Sequence, residues 1–354
     1  MRPSSGRSPA ISKSNKHRRH LFKMDPIVFY YFNMTGTESF KKHLEEKFRQ
    51  TGHVRPIVFK EWNCCKDLPG RDGNLYAYDC MAMSALVGKE YIHPVPDSIS
   101  AGDVFPWLID KGRVRKKLYG VPVMMCCNAL ICRKKDDQHI QSIMQLNENT
   151  AIPLRPMLMY YYVQTVCSGR SLKKSVKVMD HLLDLIGGRD HLRDSRSSDY
   201  DGVNRFNNAE CRYYLGFTES MKHFKRDNDL VSFPRFADDH KDEKKMFMVD
   251  FVSLGKDIPD DKLQDCVDLV KIMVDEQYIY DVCTLDGQLQ YLLPANRSVF
   301  PKSAEINPIY HQFLRLIGTG ENEILRYGKH FYETFYQQGD LLLQFLWVKA
   351  GWRP

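Results

Sequence analysis

The sequence lacks any apolar run that approaches the ~20 residues needed for a membrane-spanning helix. It also contains no Cys-x-x-Cys pair, no His-Glu-x-x-His segment and no Gly-x-x-x-x-Gly-Lys-Ser/Thr loop. These absences leave structural zinc, metalloprotease chemistry and P-loop nucleotide binding without support. We therefore expect a protein that needs no metal or other cofactor and has no membrane partner.

Acidic residues are missing from residues 1–23, which carry seven Lys and Arg. The net charge of the whole chain is +7, so the remainder is near neutral and gives little reason to expect a nucleic-acid partner. The segment is rich in Ser, Lys, Arg and His, and we predict a disordered basic arm. It has no apolar stretch typical of a secretory signal, so we expect a cytoplasmic protein. A transit peptide and a nuclear signal are alternatives for the arm.

The ten cysteines stand in doublets and inside apolar runs. We therefore expect reduced thiols rather than a disulfide framework. One doublet, Cys126 and Cys127, ends an apolar run that follows the turn Tyr119–Pro122. Neighbouring residues of a strand point to opposite faces, so at most one of these thiols faces a site. The alternative is that both are small buried hydrophobic residues, the usual state of a free cysteine.

Strand and helix patterns alternate at the start of the chain. Two aromatic and β-branched segments, residues 26–33 and 54–62, flank a segment in which Phe40, Leu44 and Phe48 recur at helical spacing. This β-α-β order predicts an α/β fold with a parallel sheet.

The α/β pattern restarts after about residue 125, which indicates two lobes joined by a crossing chain. We predict that residues 24–128 and about 256–320 form lobe 1, and that residues 129–255 and about 321–354 form lobe 2. Further strands are predicted at residues 74–83, 247–252 and 291–295, and a strand running into the start of a helix at residues 213–221. Helices are predicted at residues 136–144, 156–167, 172–186, 260–275, 308–317 and 321–345.

Several aromatic and acidic side chains lie near the ends of predicted strands, where ligands bind in open α/β sheets. They are Tyr30, Phe32, Trp62, Tyr78 and Asp79. For each aromatic residue, packing in the core is the alternative role.

Three reactive groups, Cys126, Glu219 and Asp250, occur in apolar surroundings at strand ends. A thiol must lose its proton to become a nucleophile, and a buried glutamate with a raised pKa can accept that proton. An aspartate inside an apolar strand is costly to bury unless it is hydrogen-bonded or paired. The residues therefore support a Cys–Glu hypothesis, whereas the scattered histidines give a Cys–His pair no better support.

Five segments, in the same order along the chain, resemble the thiaminase I (thiamine pyridinylase) family, and the resemblance covers residues 26–301. They are Asp103–Pro106, Tyr119–Pro122, Cys126–Leu130, Gly216–Met221 and Tyr291–Val299. The resemblance implies an α/β, two-lobed fold like the type II periplasmic solute-binding proteins, with the ligand in a cleft between the lobes. It also implies an enzyme that displaces the thiazole of thiamine with a second nucleophile.

The resemblance assigns the chemistry to two residues and the pyrimidine contact to a third. Cys126 resembles the family nucleophile, rather than Cys127, and Glu219 resembles the base. Asp250 resembles a carboxylate that hydrogen-bonds the aminopyrimidine of thiamine.

The resemblance also implies a binding pocket with acidic and aromatic walls. Asp79, together with Asp103 or Asp110, would favour the cationic thiazolium ring of thiamine, and aromatic side chains can stack on it. The aromatic wall is predicted to consist of Tyr30, Phe32, Trp62, Tyr200 and Phe217. At Phe217 this chain has phenylalanine where the family has tyrosine.

We therefore predict a monomeric transferase whose ligands are thiamine and a nucleophilic co-substrate, either pyridine, an aniline-type base or a thiol. One alternative is a protein of the same fold that binds thiamine or a similar heterocycle without chemistry. Another is a hydrolase that uses water as the acceptor.

Overall fold

The computed structural model describes residues 24–32, 37–64, 66–99, 102–136, 140–153, 172–185, 202–225, 229–232, 244–285, 287–319, 321–325, 328 and 330. The predicted arm at residues 1–23, the predicted helix at residues 156–167 and Tyr200 lie outside these residues. None of the described helices is long and apolar enough to cross a membrane.

The described strands are β1 Ile27–Tyr31, β2 Ile57–Glu61, β3 Leu75–Asp79, β4 Arg113–Val114, β5 Lys117–Leu118, β6 Val121–Cys126, β7 Asn128–Arg133, β8 Thr150–Ala151, β9 Tyr213–Phe217, β10 Asp229–Ser232, β11 Lys245–Leu254, β12 Thr284–Leu285, β13 Gln288–Leu289, β14 Leu293–Pro294 and β15 Asn322–Ile324. The described α-helices are α1 Thr37–Gln50, α2 Met83–Gly88, α3 Pro106–Lys111, α4 Leu172–Leu185, α5 Val203–Asn207, α6 Asp260–Met273, α7 Glu276–Cys283, α8 Val299–Ile306 and α9 Ile309–Gly318.

The larger sheet has seven strands in the order β14-β6-β11-β3-β1-β2, and β15 pairs with the start of β11. Strands β1, β2 and β3 are parallel, which confirms the predicted β-α-β unit. The prediction of an all-parallel sheet is wrong, because β11 is antiparallel to both β3 and β6. Strand β6 carries the chain out to a second sheet and β11 brings it back, so the two must run in opposite directions.

The second sheet has four strands in the order β10-β7-β9-β8. A single residue, Cys127, separates the last residue of β6 in the larger sheet from the first residue of β7 in the second. The exact lobe boundaries remain a prediction. Strand β11, which falls in the residues predicted for lobe 2, pairs with strands from the residues predicted for lobe 1.

Helix α1 shows how the apolar pattern builds the core. Phe40, Leu44 and Phe48 are each at most 2% exposed and pack into the same core cluster as the helices α6 and α7. Burying each such side chain stabilises the fold by roughly 1.5–3 kcal/mol. The spacing of these residues therefore both predicts the helix and fixes the face that it turns to the sheet.

Three predicted elements differ from the structure. The strand predicted at residues 74–83 ends at Asp79, because the Asp79 carboxylate accepts a hydrogen bond from the Met81 N–H (2.9 Å) and begins a 3-10 turn. The described part of the helix predicted at residues 136–144 holds only 3-10 turns, and Ser142 and Gln145 form a capping box around the second one. Residues 322–324, predicted as helix, form β15 because they pair with β11.

Candidate functional site

The turn before β6 is fixed by a buried chain of hydroxyl groups. The Tyr78 and Ser253 hydroxyls lie 2.6 Å apart, and the Ser253 hydroxyl donates to the Tyr119 carbonyl oxygen (2.6 Å). A Cβ at Gly120 would lie 2.8 Å from the Tyr78 hydroxyl, so a glycine is required there. The start of β6, and therefore its register, is anchored to β3 and β11.

Strand β6 delivers Cys126 to the junction of the two sheets. Cys126 lies opposite Met248 of β11 and is partly exposed, whereas Cys127 is 1% exposed. The two thiols of the doublet therefore differ in exposure, and the choice of the one that faces a site stays a prediction.

The second sheet holds Glu219 close to the same junction. Asn128 of β7 lies opposite Phe217 of β9, and the Thr218 N–H donates to the Cys127 carbonyl oxygen (3.1 Å), which continues the ladder by one step. Glu219 follows in the 3-10 turn Thr218–His223. Among the charges that raise the pKa of the Cys126 thiol, that of Glu219 has the largest effect.

Two carboxylates face each other across strands β3 and β11. Asp79 and Asp250 are directly opposed in the antiparallel ladder, where Cβ atoms lie about 4.5–5.5 Å apart. Burial, followed by the charges of Asp79 and Glu219, raises the pKa of Asp250 well above its usual value. The Asp79 carboxylate also accepts hydrogen bonds from the Met81 N–H and the Cys80 thiol. The pair therefore favours a charged Asp79 beside a neutral Asp250.

The opposed pair and the thiol share one face of the larger sheet. Asp250 lies opposite Met124 of β6, and Cys126, two residues along β6, lies opposite Met248. Opposed residues of an antiparallel pair project to the same side, and side chains two residues apart do as well. Burial and the charges of Glu219, Asp250 and Asp79 raise the pKa of the Cys126 thiol well above its usual value. The site combines a nucleophile, a candidate base and two further carboxyl groups.

Three residues of the predicted aromatic wall are buried or half-buried. Phe217 is 6% exposed and lies two residues before Glu219. Trp62 is buried and its indole N–H donates to the Ala77 carbonyl oxygen (3.3 Å), and Phe32 is half-buried at the end of β1. These three residues and Tyr30 pack in one large core cluster or against it, as Cys126 does.

Tyr30 is held by other contacts. Its ring stacks on Tyr76 (5.7 Å between centroids), and its hydroxyl donates to Asp72 (2.9 Å). In the β1–β3 register Tyr30 pairs with Tyr76, so strand alternation places it on the opposite face from Asp79.

The other predicted acidic residues lie at the surface. Asp103 is exposed and forms an ion pair with Arg297. Asp110 is exposed and lies 3.8 Å from the Arg113 guanidinium. No described contact joins either residue to Cys126. No group of three or more His, Cys, Asp or Glu in the described residues could hold a metal ion.

Sequence reasoning missed two polar groups beside the thiol, although both belong to the segments that carry the family resemblance. The Asn128 side-chain oxygen and the Thr218 hydroxyl are buried, and neither has a hydrogen-bond partner in the described part of the chain. Their signal in the sequence is position alone: Asn128 directly follows the doublet, and Thr218 directly precedes Glu219.

No family model matches the chain. Thiaminase-1 of Paenibacillus thiaminolyticus is 23% identical to it in an alignment of length 325 that covers 80% of this chain and 79% of that protein. The structure of Clostridium botulinum thiaminase I in complex with thiamin superimposes with a TM-score of 0.78 at 19% identity, over 90% of this chain and 99% of that chain. Maltose-bound T. maritima MalE3 superimposes with a TM-score of 0.68 at 14% identity, over 91% of this chain and 93% of that chain.

These comparisons confirm two predictions made from the sequence. The chain resembles thiaminase I along most of its length, and it has the α/β, two-lobed fold of the type II periplasmic-binding-protein class that thiaminase I structures share.

Proposed function

We propose that the chain is a thiaminase I-like transferase, which cleaves thiamine by displacing its thiazole with an organic base or a thiol. This proposal rests on one observation: Cys126 lies at the junction of the two sheets, within the electrostatic influence of Glu219, Asp250 and Asp79. Similarity to thiaminase I over 80% of the chain supports thiamine as the substrate.

In the proposed reaction Glu219 takes the proton of Cys126, and the thiolate adds to the pyrimidine ring of thiamine. The neutral carboxyl of Asp250 hydrogen-bonds the aminopyrimidine and helps it to accept the thiolate. The bond between the methylene bridge and the thiazole nitrogen then breaks, and the thiazole leaves as a neutral molecule.

The co-substrate completes the transfer. It forms a bond to the methylene carbon, and Cys126 leaves the pyrimidine ring and regains a proton. A co-substrate that carries an N–H or S–H proton releases that proton through Glu219. The negative charge of Asp79 suits a cationic substrate, because thiamine enters with a positively charged thiazolium ring.

The test is turnover of thiamine with pyridine or aniline as the acceptor. Wild type is expected to form the exchanged product, and Cys126→Ser and Glu219→Gln are expected to abolish it while they retain the fold and thiamine binding. Cys127→Ser is the matched control, because its thiol is buried and it should retain activity. Activity of Cys126→Ser together with loss in Cys127→Ser would contradict the choice of thiol.

The second candidate is a thiamine-binding protein without chemistry. It is favoured by the raised pKa of Cys126, which keeps the thiol neutral in the free protein, and by the fold shared with a maltose-bound protein. Thiamine binding without turnover, in the presence of each class of acceptor, would select this function.

A further inference from the structure

Asn128 occupies the same side of the site as the proposed nucleophile. It is the first residue of β7 and lies opposite Phe217, while Cys126 precedes it by two residues at the end of β6. Alternation along an extended chain turns these two side chains to the same side. The ladder continues one step beyond this pair, through the Thr218 N–H and the Cys127 carbonyl oxygen, and Glu219 follows at once in the 3-10 turn, two residues after the residue opposite Asn128.

The side-chain oxygen of Asn128 is buried and accepts no hydrogen bond from any described residue. Leaving a buried acceptor without a donor costs about 1–3 kcal/mol, and such groups in folded proteins call for a specific explanation. A carboxylate cannot supply the missing donor, because both of its oxygens are acceptors. A protonated carboxyl has one O–H donor, which Glu219 gains only after it has taken a proton.

We propose that Asn128 is a positioning residue for proton transfer between Cys126 and Glu219. The S–H bond of Cys126 breaks, an O–H bond forms on Glu219, and that O–H donates to the Asn128 side-chain oxygen. The number of charges does not change, since a thiol and a carboxylate become a thiolate and a carboxylic acid. This inference rests on the roles of Cys126 and Glu219 in the proposed function.

Among the described residues with a shifted pKa, four groups respond to the charge of Glu219. They are Cys126 and Cys127 from the crossing between the sheets, Asp250 from β11, and Lys222 from the same turn as Glu219. A thiol is a weak acceptor, a lysine ammonium carries donors and no acceptor atom, and the Asp250 carboxyl is assigned to the substrate in the proposed function. Asn128 is a neutral amide, so the ability of its side-chain oxygen to accept a hydrogen bond does not change with pH.

The direct test measures the thiolate rather than turnover. Alkylation of Cys126 by iodoacetamide at pH 7, followed by peptide mass spectrometry, is expected to slow about 3- to 10-fold in Asn128→Leu, the factor that corresponds to one hydrogen bond. Asn128→Gln, which keeps the carbonyl, should recover part of the rate. Thr218→Val is the matched control, because it removes a buried hydroxyl that likewise has no described partner, next to Glu219 in the chain and opposite Cys127 rather than Cys126.

A double-variant comparison separates this role from a structural one. In a Glu219→Gln background, where residue 219 cannot take up a proton, Asn128→Leu should leave the rate of alkylation unchanged. Equal slowing in both backgrounds, or equal slowing by Thr218→Val, would overturn the proposal. If Asn128→Leu does not fold, as judged by circular dichroism, Asn128→Ser replaces it in the same comparison.

Turnover then distinguishes positioning from substrate binding. With thiamine and aniline, Asn128→Leu is expected to lower kcat and leave the affinity for thiamine unchanged. A rise in the thiamine dissociation constant with unchanged kcat would mean that Asn128 binds the substrate, and would overturn the proposal. Absence of turnover in wild type counts against the proposed function only, because the alkylation assay reports on Asn128 without any substrate.

Discussion

Asp79 and Asp250 lie directly opposite each other on strands β3 and β11, with their carboxyl groups on the face that carries Cys126. Like charges at opposed positions of a sheet are destabilising. The raised pKa of Asp250, caused by burial and by the charges of Asp79 and Glu219, relieves this repulsion by keeping Asp250 protonated. The pair is thus poised to offer one hydrogen-bond donor and one negative charge to a ligand.

The first prediction concerns stability against pH. The folded protein holds the Asp250 proton above the pH at which the unfolded chain releases it, so this group stabilises the fold at low pH, and the contribution is lost as pH rises through the raised pKa. Because asparagine cannot ionise, Asp250→Asn keeps at pH 8 the stability that wild type loses. The substitution should raise Tm by about 2 °C or more at pH 8 and leave Tm unchanged near pH 4. Thermal unfolding across this pH range measures the difference, with Asp257→Asn as control because Asp257 is exposed. A lower Tm for Asp250→Asn at pH 8 would contradict the assignment.

The second prediction concerns the reactivity of the thiol. The charges of both Asp250 and Asp79 raise the pKa of Cys126, but Asp250 carries no charge below its own raised pKa. Asp79→Asn should therefore lower the pKa of Cys126 and speed its alkylation at pH 8 several-fold, and Asp250→Asn should change the rate much less. The rates of iodoacetamide labelling from pH 6 to pH 10 give the comparison. A larger effect of Asp250→Asn would mean that the proton resides on Asp79 instead.

The third prediction concerns the turn before β6. Gly120→Ala places a Cβ 2.8 Å from the Tyr78 hydroxyl and 2.9 Å from the Phe251 ring, so the free energy of unfolding should fall by about 1–3 kcal/mol. Gly318→Ala is the matched control, because a Cβ there meets nothing within 4 Å. Urea unfolding of both variants measures the difference. An effect of similar size in the two variants would show that close approach at Gly120 is unimportant.

The parts of the fold that follow from the spacing of apolar residues along the chain could be predicted from the sequence. Helix α1 follows from the spacing of Phe40, Leu44 and Phe48, and its sequence neighbours β1 and β2 pair in parallel as expected. The antiparallel pairing of β11 between β3 and β6 was not predicted, because it joins segments far apart in the chain and no local signal specifies it. The end of β3 was missed because a single cap by Asp79 outweighs the apolar run that follows.

The candidate site could also be predicted only in part. Cys126, Glu219 and Asp250 could be selected from residue type and apolar context, and the family resemblance ordered them. Their proximity could not be read from the sequence, because it depends on the β6–β11 and β7–β9 registers. Asn128 was missed for a related reason: an unpartnered amide oxygen is visible only once its neighbours are known.

The central claim is that Cys126 bonds covalently to the pyrimidine of thiamine. The most direct measurement is mass spectrometry of the protein after incubation with a mechanism-trapping thiamine analogue, with peptide mapping of the modified residue. We predict a single pyrimidine adduct on Cys126 in wild type and in Cys127→Ser, and none in Cys126→Ser. An adduct on Cys127, or an unmodified protein that nevertheless binds thiamine, would contradict the claim.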